Sequence, residues 1–105
     1  MKIQKFINDK RLIGDWLAGQ SLSLEMEGHF FSHWFHEDGL GFGLVITAEK
    51  SGEFHLMNNG DVTSRVEHFN QETQEFDVLD SYWRPTAHFH EFEQLYNIFR
   101  ERVVS

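Results

Sequence analysis

Glu37-Asp38-Gly39-Leu40-Gly41-Phe42-Gly43-Leu44-Val45-Ile46-Thr47 is the stretch from which the fold can be read. Asp-Gly is a strong hairpin signal, because both residues accept the positive φ of a tight turn. Beyond the turn the pattern has a period of two, so successive side chains point to opposite faces of a strand. Phe42, Leu44 and Ile46 share one face of a strand running from Leu40 to Thr47, and Gly41 and Gly43 share the other. Glycine inside a strand marks a bulge, a bend or a close backbone approach.

Working outward, the preceding run His29-Phe30-Phe31-Ser32-His33-Trp34-Phe35-His36 has aromatic residues at both parities. That suggests a strand covered on both faces, with Phe30, Phe31 and Phe35 assigned to the core. Before it, Leu22, Leu24 and Met26 alternate with Ser23, Glu25 and Glu27, the pattern of a half-buried strand that runs on or bends at Gly28. Residues 2–13 read as a helix with Ile3, Phe6 and Ile7 on one stripe and Gly14 as its stop.

Downstream, Lys50-Ser51-Gly52 reads as a turn, Phe54 and Leu56 as the alternating positions of a strand, and Asn58-Asn59-Gly60-Asp61 as another turn. Val62 to Phe69 is a further strand, Asn70 to Thr73 a loop, and Glu75 to Leu79 a short strand. Asp80, Arg84 and Pro85 around Tyr82 and Trp83 suggest an exposed loop. From about Ala87 to Val103, Phe89, Phe92, Leu95, Tyr96, Phe99 and Val103 recur at helical spacing, with Glu91 and Glu93 near the start and Arg100 and Arg102 near the end, as the helix dipole prefers. The expected fold is a single α+β domain over residues 1–105. It has an N-terminal helix, an antiparallel β-meander of about five or six strands, and a C-terminal amphipathic helix.

Composition narrows function more than it names one. The chain has 105 residues, enough for one core. It carries eleven Phe, three Trp and two Tyr, so that core can be dense. The lack of cysteine removes disulfides, thiolate nucleophiles and Cys-ligated zinc, and fits a reducing cytoplasm. Residues 1–16 lack the apolar core of a secretory signal, and no apolar run approaches the ~20 residues that span a bilayer. The net charge is −8; from Leu12 to Trp83 the bases are Lys50 and Arg65 alone, against thirteen acids. Phosphate backbones are bound by clustered Lys and Arg, so nucleic acid is not an expected ligand. A carboxylate-rich surface instead complements a basic protein.

The run Leu12-Ile13-Gly14-Asp15-Trp16 resembles the Gly-x-Trp opening of lipocalin-like barrels, and Phe35-His36-Glu37-Asp38-Gly39-Leu40-Gly41 is similar to a turn between strands of such meanders. The resemblance covers roughly residues 3–80. It implies a sheet curled into a partly closed barrel, Trp16 packed across one end, and a ligand pocket involving Trp16, Phe31, Trp34 and Phe42. In composition alone the chain also resembles small acidic bacterial immunity proteins.

Sites with reactive chemistry are hard to find. His29, His33 and His36 have helical spacing for zinc, but on a strand His29 and His33 lie about 13 Å apart at ~3.3 Å per residue and cannot share an ion. His88 and His90 fall at a helix start. No Gly-x-Ser-x-Gly elbow surrounds any serine, and Gly39-x-Gly41-x-Gly43 lacks the lysine and helix of a phosphate loop. No catalytic residue, metal ligand or cofactor is expected. The expected function is a cytoplasmic, non-enzymatic binding protein, in its most specific form an immunity protein or inhibitor neutralising a basic nuclease-type toxin. Its contacts would be Glu37, Asp38, Glu49, Glu53, Glu67, Glu72, Glu75, Asp77 and Asp80, with Tyr82 and Trp83 as anchors. A lipocalin-like ligand site and a His-based metal site are the alternatives. A homodimer through an edge strand or the last helix is also open to such a meander.

Overall fold

The computed structural model describes residues 1–45 and 50–104, with side chains described outside 41–45. Two helices, α1 (Ile3–Ile7) and α2 (Lys10–Met26), precede β1 (Phe30–His36), β2 (Gly39–Val45), β3 (Lys50–Met57), β4 (Asp61–Asn70) and β5 (Glu75–Pro85), and α3 (Phe89–Val104) follows. The strands form one antiparallel meander in the order β1-β2-β3-β4-β5. The sheet is open, with β1 and β5 as its edges. The helices pack on one face only. No helix among the described residues is long and apolar enough to cross a membrane.

The N-terminal half is more helical than its sequence pattern suggests. Gly14 does not stop the first helix. The break comes earlier, at Asp9, whose carboxylate accepts from the backbone N–H groups of Arg11 (3.0 Å) and Leu12 (3.2 Å) and so caps α2. α2 then runs through Gly14 and Gly19, which weaken a helix without breaking it. Ser21 to Glu27, expected as a strand, is the last part of α2 and its C-cap, Glu27. Leu24 is fully buried while Leu22 is 62% and Met26 80% exposed, so the alternation there does not mark a buried face. The stripe that packs is Ile13, Leu17 and Leu24, at helical spacing. Gly28, at φ +82°, ends the helix: its N–H donates to the Glu25 carbonyl and that of His29 to the Leu24 carbonyl, a Schellman closure that needs a left-handed residue.

The hairpins lie where the turn signals put them. Glu37-Asp38 joins β1 to β2, which opens at Gly39, and Asn58 to Gly60 joins β3 to β4. Lys50-Ser51-Gly52 is not a turn but the start of β3. Gly52 is there because α3 crosses at that point: a β-carbon on it would come within 2.5 Å of Val103 and 2.6 Å of Phe99. The loop expected at Tyr82 and Trp83 is strand, since β5 continues past Leu79 to Pro85 and pairs with the whole of β4. A bulge lies opposite Val66/Glu67. The positions Ile46 and Thr47, expected in the second strand, lie outside the described residues, as does Glu49.

Between sheet and helices sits an aromatic core. Phe54, Leu56, Val62 and Val66 face Phe92, Tyr96, Phe99 and Val103 of α3, all buried. The Phe54 ring lies 5.2 Å from Phe99, 5.6 Å from Tyr96 and 5.9 Å from Phe92 between centroids. Phe6 and Trp16 close the cluster from α1 and α2; Trp16 stands 4.7 Å from Tyr96, edge to face. Arg100 ties α3 to α2 through Ser23 (3.0 Å) and Glu27 (3.3 Å). Glu91 accepts from the N–H groups of Ala87 and His88 and closes the start of α3.

Candidate functional site: the open face of the sheet

Strand alternation divides the sheet residues into two sets. The set facing the helices holds Phe31, Leu40, Phe54, Leu56, Val62, Ser64, Val66, Asp80 and Tyr82. None of the described elements lies over the other set. Register places Trp34, Gly41, His55, Thr63 and Trp83 opposite one another in a single row across all the strands. The next row holds Ser32, Gly43, Glu53, Arg65 and Ser81. Glycine at 39 and 41 leaves the first half of β2 bare on this side, so side chains of β1 and β3 meet above it.

They meet as a hydrogen-bonded chain. The Asp38 N–H lies 3.2 Å from His36 Nδ1, His36 Nε2 lies 3.1 Å from His55 Nδ1, and His55 Nε2 lies 2.6 Å from Glu53 Oε1. Because a backbone N–H can only donate, His36 Nδ1 is the acceptor, and a neutral ring then carries its proton on Nε2. That proton goes to His55 Nδ1, so His55 donates through Nε2 to Glu53. One tautomer assignment satisfies every link. Trp34 stands edge to face on His55 at 5.7 Å. His55 escaped the sequence reading, which looked for histidines close together along the chain. The usable signal was Glu53-x-His55 on one strand face beside a strand alternating with glycine.

Toward β5 the face opens into a hollow of about 440 Å³ bordered by Glu53, His55, Thr63, Arg65, Ser81 and Trp83. Trp83 is 66% exposed. Arg65 pairs with Glu67. Past the bulge, β4 and β5 run out to a hairpin tip where every residue from 71 to 79 is exposed. Phe76 lies against Phe69 at 5.2 Å, and Val78 pairs with Glu67. Asn70 shapes the tip by accepting from the N–H groups of Glu72 (3.0 Å) and Thr73 (3.3 Å).

The carboxylates expected to bind a partner therefore divide. Glu53 and Glu67 lie on the open face, and Glu72, Glu75 and Asp77 on the hairpin arm. Glu37 and Asp38 sit at the opposite end of the sheet, in the β1–β2 turn. Asp80 is on the helix side, 3.1 Å from Arg102. Tyr82 is not an exposed anchor either: its hydroxyl donates to the Leu95 carbonyl at 3.0 Å, tying β5 to α3. Burial holds its phenol above the ordinary value, with Asp80 adding to the rise and Ser64 opposing it. Tyr96, deeper in the core, is pushed up to about 12 by burial, with Arg100 opposing.

The residues expected to line a ligand pocket do not converge. Trp16 is in α2 among the helices, Phe31 is buried under them, and Trp34 is on the open face; the Phe42 side chain lies outside the described set. Phe30 (65% exposed) and Phe35 (63%) are likewise not core: register puts Phe30 on the open face, and Phe35, on the helix side, stands at the sheet edge where the helices do not cover it. Among the described residues no group of three or more His, Asp or Glu is arranged to hold a metal ion. His33 and His36 point to opposite faces of β1. No protein-family model, curated protein or solved structure matches the chain.

Proposed function

We propose that the protein is a non-enzymatic binding protein that docks a basic protein on the β3–β5 side of its open sheet face and on the acidic arm beyond it. The observation that carries this reading is the exposure of Trp83, Phe76 and Val78 among Glu53, Glu67, Glu72, Glu75 and Asp77. Uncovered aromatic and aliphatic side chains in a charged surround have the anatomy of an interface centre. The sign of the surround selects the partner: a cationic surface is steered toward it and an acidic one repelled.

In its most specific form the partner is a nuclease-type toxin, whose phosphate-holding cleft must be cationic, and the protein is its immunity protein or inhibitor. Lack of cysteine suits action in the cytoplasm, where such an enzyme would otherwise reach nucleic acid.

The test is capture of partners from the native host with the wild-type chain and with a variant carrying Glu72→Gln, Glu75→Gln and Asp77→Asn, followed by kinetics on the purified partner. The expected partner has a high isoelectric point, and its association rate falls roughly tenfold or more between low and high salt. In the neutralised variant the rate is lower and the salt dependence flatter. An association rate indifferent to both salt and the substitutions overturns the reading.

A further inference from the structure

An open sheet has two edges, and a bare edge is a template for another strand unless the chain protects it. β5 is protected in several ways. It carries a bulge, ends in Pro85, and presents Glu75, Asp77, Asp80 and Arg84 along its length. β1 has none of these devices. Its sequence, Phe30-Phe31-Ser32-His33-Trp34-Phe35-His36, contains no Asp, Glu, Lys, Arg or Pro, and its pairing with β2 is regular throughout.

Exposed apolar side chains stand on both faces of β1. Phe30 and Trp34 are exposed on the open face and Phe35 on the helix face. Between β1 and α2 runs a groove of about 580 Å³ bordered by Lys10, Gly14, Leu17, His33 and Phe35. Leu22 and Met26 of α2 are exposed as well.

We infer that β1 is a dimerisation edge, pairing antiparallel with β1 of a second copy of this chain to continue the sheet across a twofold axis. Charge decides the occupant. Two molecules each carrying −8 repel wherever their carboxylates meet, and β1 is an outer strand on which neither has any. A cationic partner finds nothing on this strand to pair with, whereas a second copy finds a surface of its own composition. The strand is also self-complementary. With the twofold at His33, which gives complete overlap, Phe31 of one copy lies opposite Phe35 of the other on one face, and Phe30 lies opposite His36 on the other. Residues directly opposite share a face and pack as cross-strand pairs. Phe35 and Phe30, exposed on each copy, are thus brought against the buried Phe31 and the His36 of the other, the self-matching geometry of a twofold interface. The β3–β5 surface assigned above to a basic partner is left free, so the dimer does not depend on that assignment.

The test is the mass of the purified 105-residue chain by sedimentation or light scattering from micromolar to near-millimolar concentration. The expected mass rises to twice the 12.5 kDa of the chain, with slowing amide exchange in β1 as the dimer forms. Phe30→Lys and Phe35→Lys replace side chains already in water, so the monomer keeps its fold, checked by circular dichroism. Each is expected to weaken the dimer at least tenfold. Ile98→Lys, on the outer side of α3, is expected to leave it intact. A chain monomeric at every concentration overturns the inference and leaves β1 to an extended segment of another protein. A dimer that survives both β1 substitutions, or that is lost with Ile98→Lys instead, overturns it equally.

Discussion

Phe54 and His55 are neighbours in the chain and stand on opposite faces of the same strand. Phe54 is fully buried among Phe92, Tyr96 and Phe99, while His55 lies on the open face between His36 and Glu53. The contrast holds for Tyr82 and Trp83 one edge over: the first is hydrogen-bonded to α3, the second stands in solvent. One face of the sheet therefore carries the core and the other is the face proposed above for recognition, and strand alternation lets each be altered with little effect on the other.

The sharpest way to break that division is to truncate the two neighbours in turn. Phe54→Ala is expected to lower the free energy of unfolding by about 3–5 kcal/mol, the range for a buried ring left as a cavity. Total stabilities of small domains run to ~5–15 kcal/mol, so this substitution alone can abolish a cooperative urea transition. His55→Ala is expected to cost about 1 kcal/mol or less, since its hydrogen bonds exchange with water. Comparable losses at the two positions would mean that the faces are not separate.

Next in size is Gly52→Ala, which adds a methyl to the covered face where α3 lies closest. It is expected to cost about 1–3 kcal/mol as Val103 and Phe99 are pushed aside. Serine at the neighbouring position 51, on the open side, should accept alanine at almost no cost in the same urea titration.

At the β5 edge the comparison sharpens further. Tyr82→Phe removes the bond to the Leu95 carbonyl and is expected to cost about 0.5–1.5 kcal/mol. Trp83→Ala is expected to stay within ~0.5 kcal/mol in stability, yet to weaken association with the proposed basic partner.

The smallest effect is read in alkali. Tyr96 is pushed up to about 12 and Tyr82 is raised as well, both chiefly by burial. A raised phenol holds its proton more tightly in the folded chain than in the unfolded one. Its contribution is therefore complete below the ordinary value near 10 and is lost as pH rises toward the folded value. Stability should decline through that window, and Tyr96→Phe should flatten the decline. The chain has only two tyrosines, so absorbance of the phenolate reports both directly; ionisation of both at the ordinary value would place them in water.

Local pattern was legible wherever one kind of contact controlled it. The turn at Asp38-Gly39, the turn at Asn59-Gly60 and the helical stripe Phe92, Tyr96, Phe99 and Val103 all appear where their residues put them. The misreadings have a common cause. Leu22, Leu24 and Met26 alternate, but of the three only Leu24 is buried. Gly14 is a poor helix residue, yet the packing of Ile13 and Leu17 carries α2 through it. Of the candidate site, Trp83 and the carboxylates could be named in advance but not sorted, because sorting needs the strand register.

The residue string by itself determined an α+β meander with an aromatic core and an acidic surface, since alternation, turn chemistry and net charge are properties of neighbours along the chain. Tertiary structure decided the rest: that the sheet stays open, that α2 runs on to Met26, that β1 is the bare edge, and that His36 reaches His55 across a strand of glycines. Each of these depends on which distant element covers a face, and coverage is not written in any short stretch of residues.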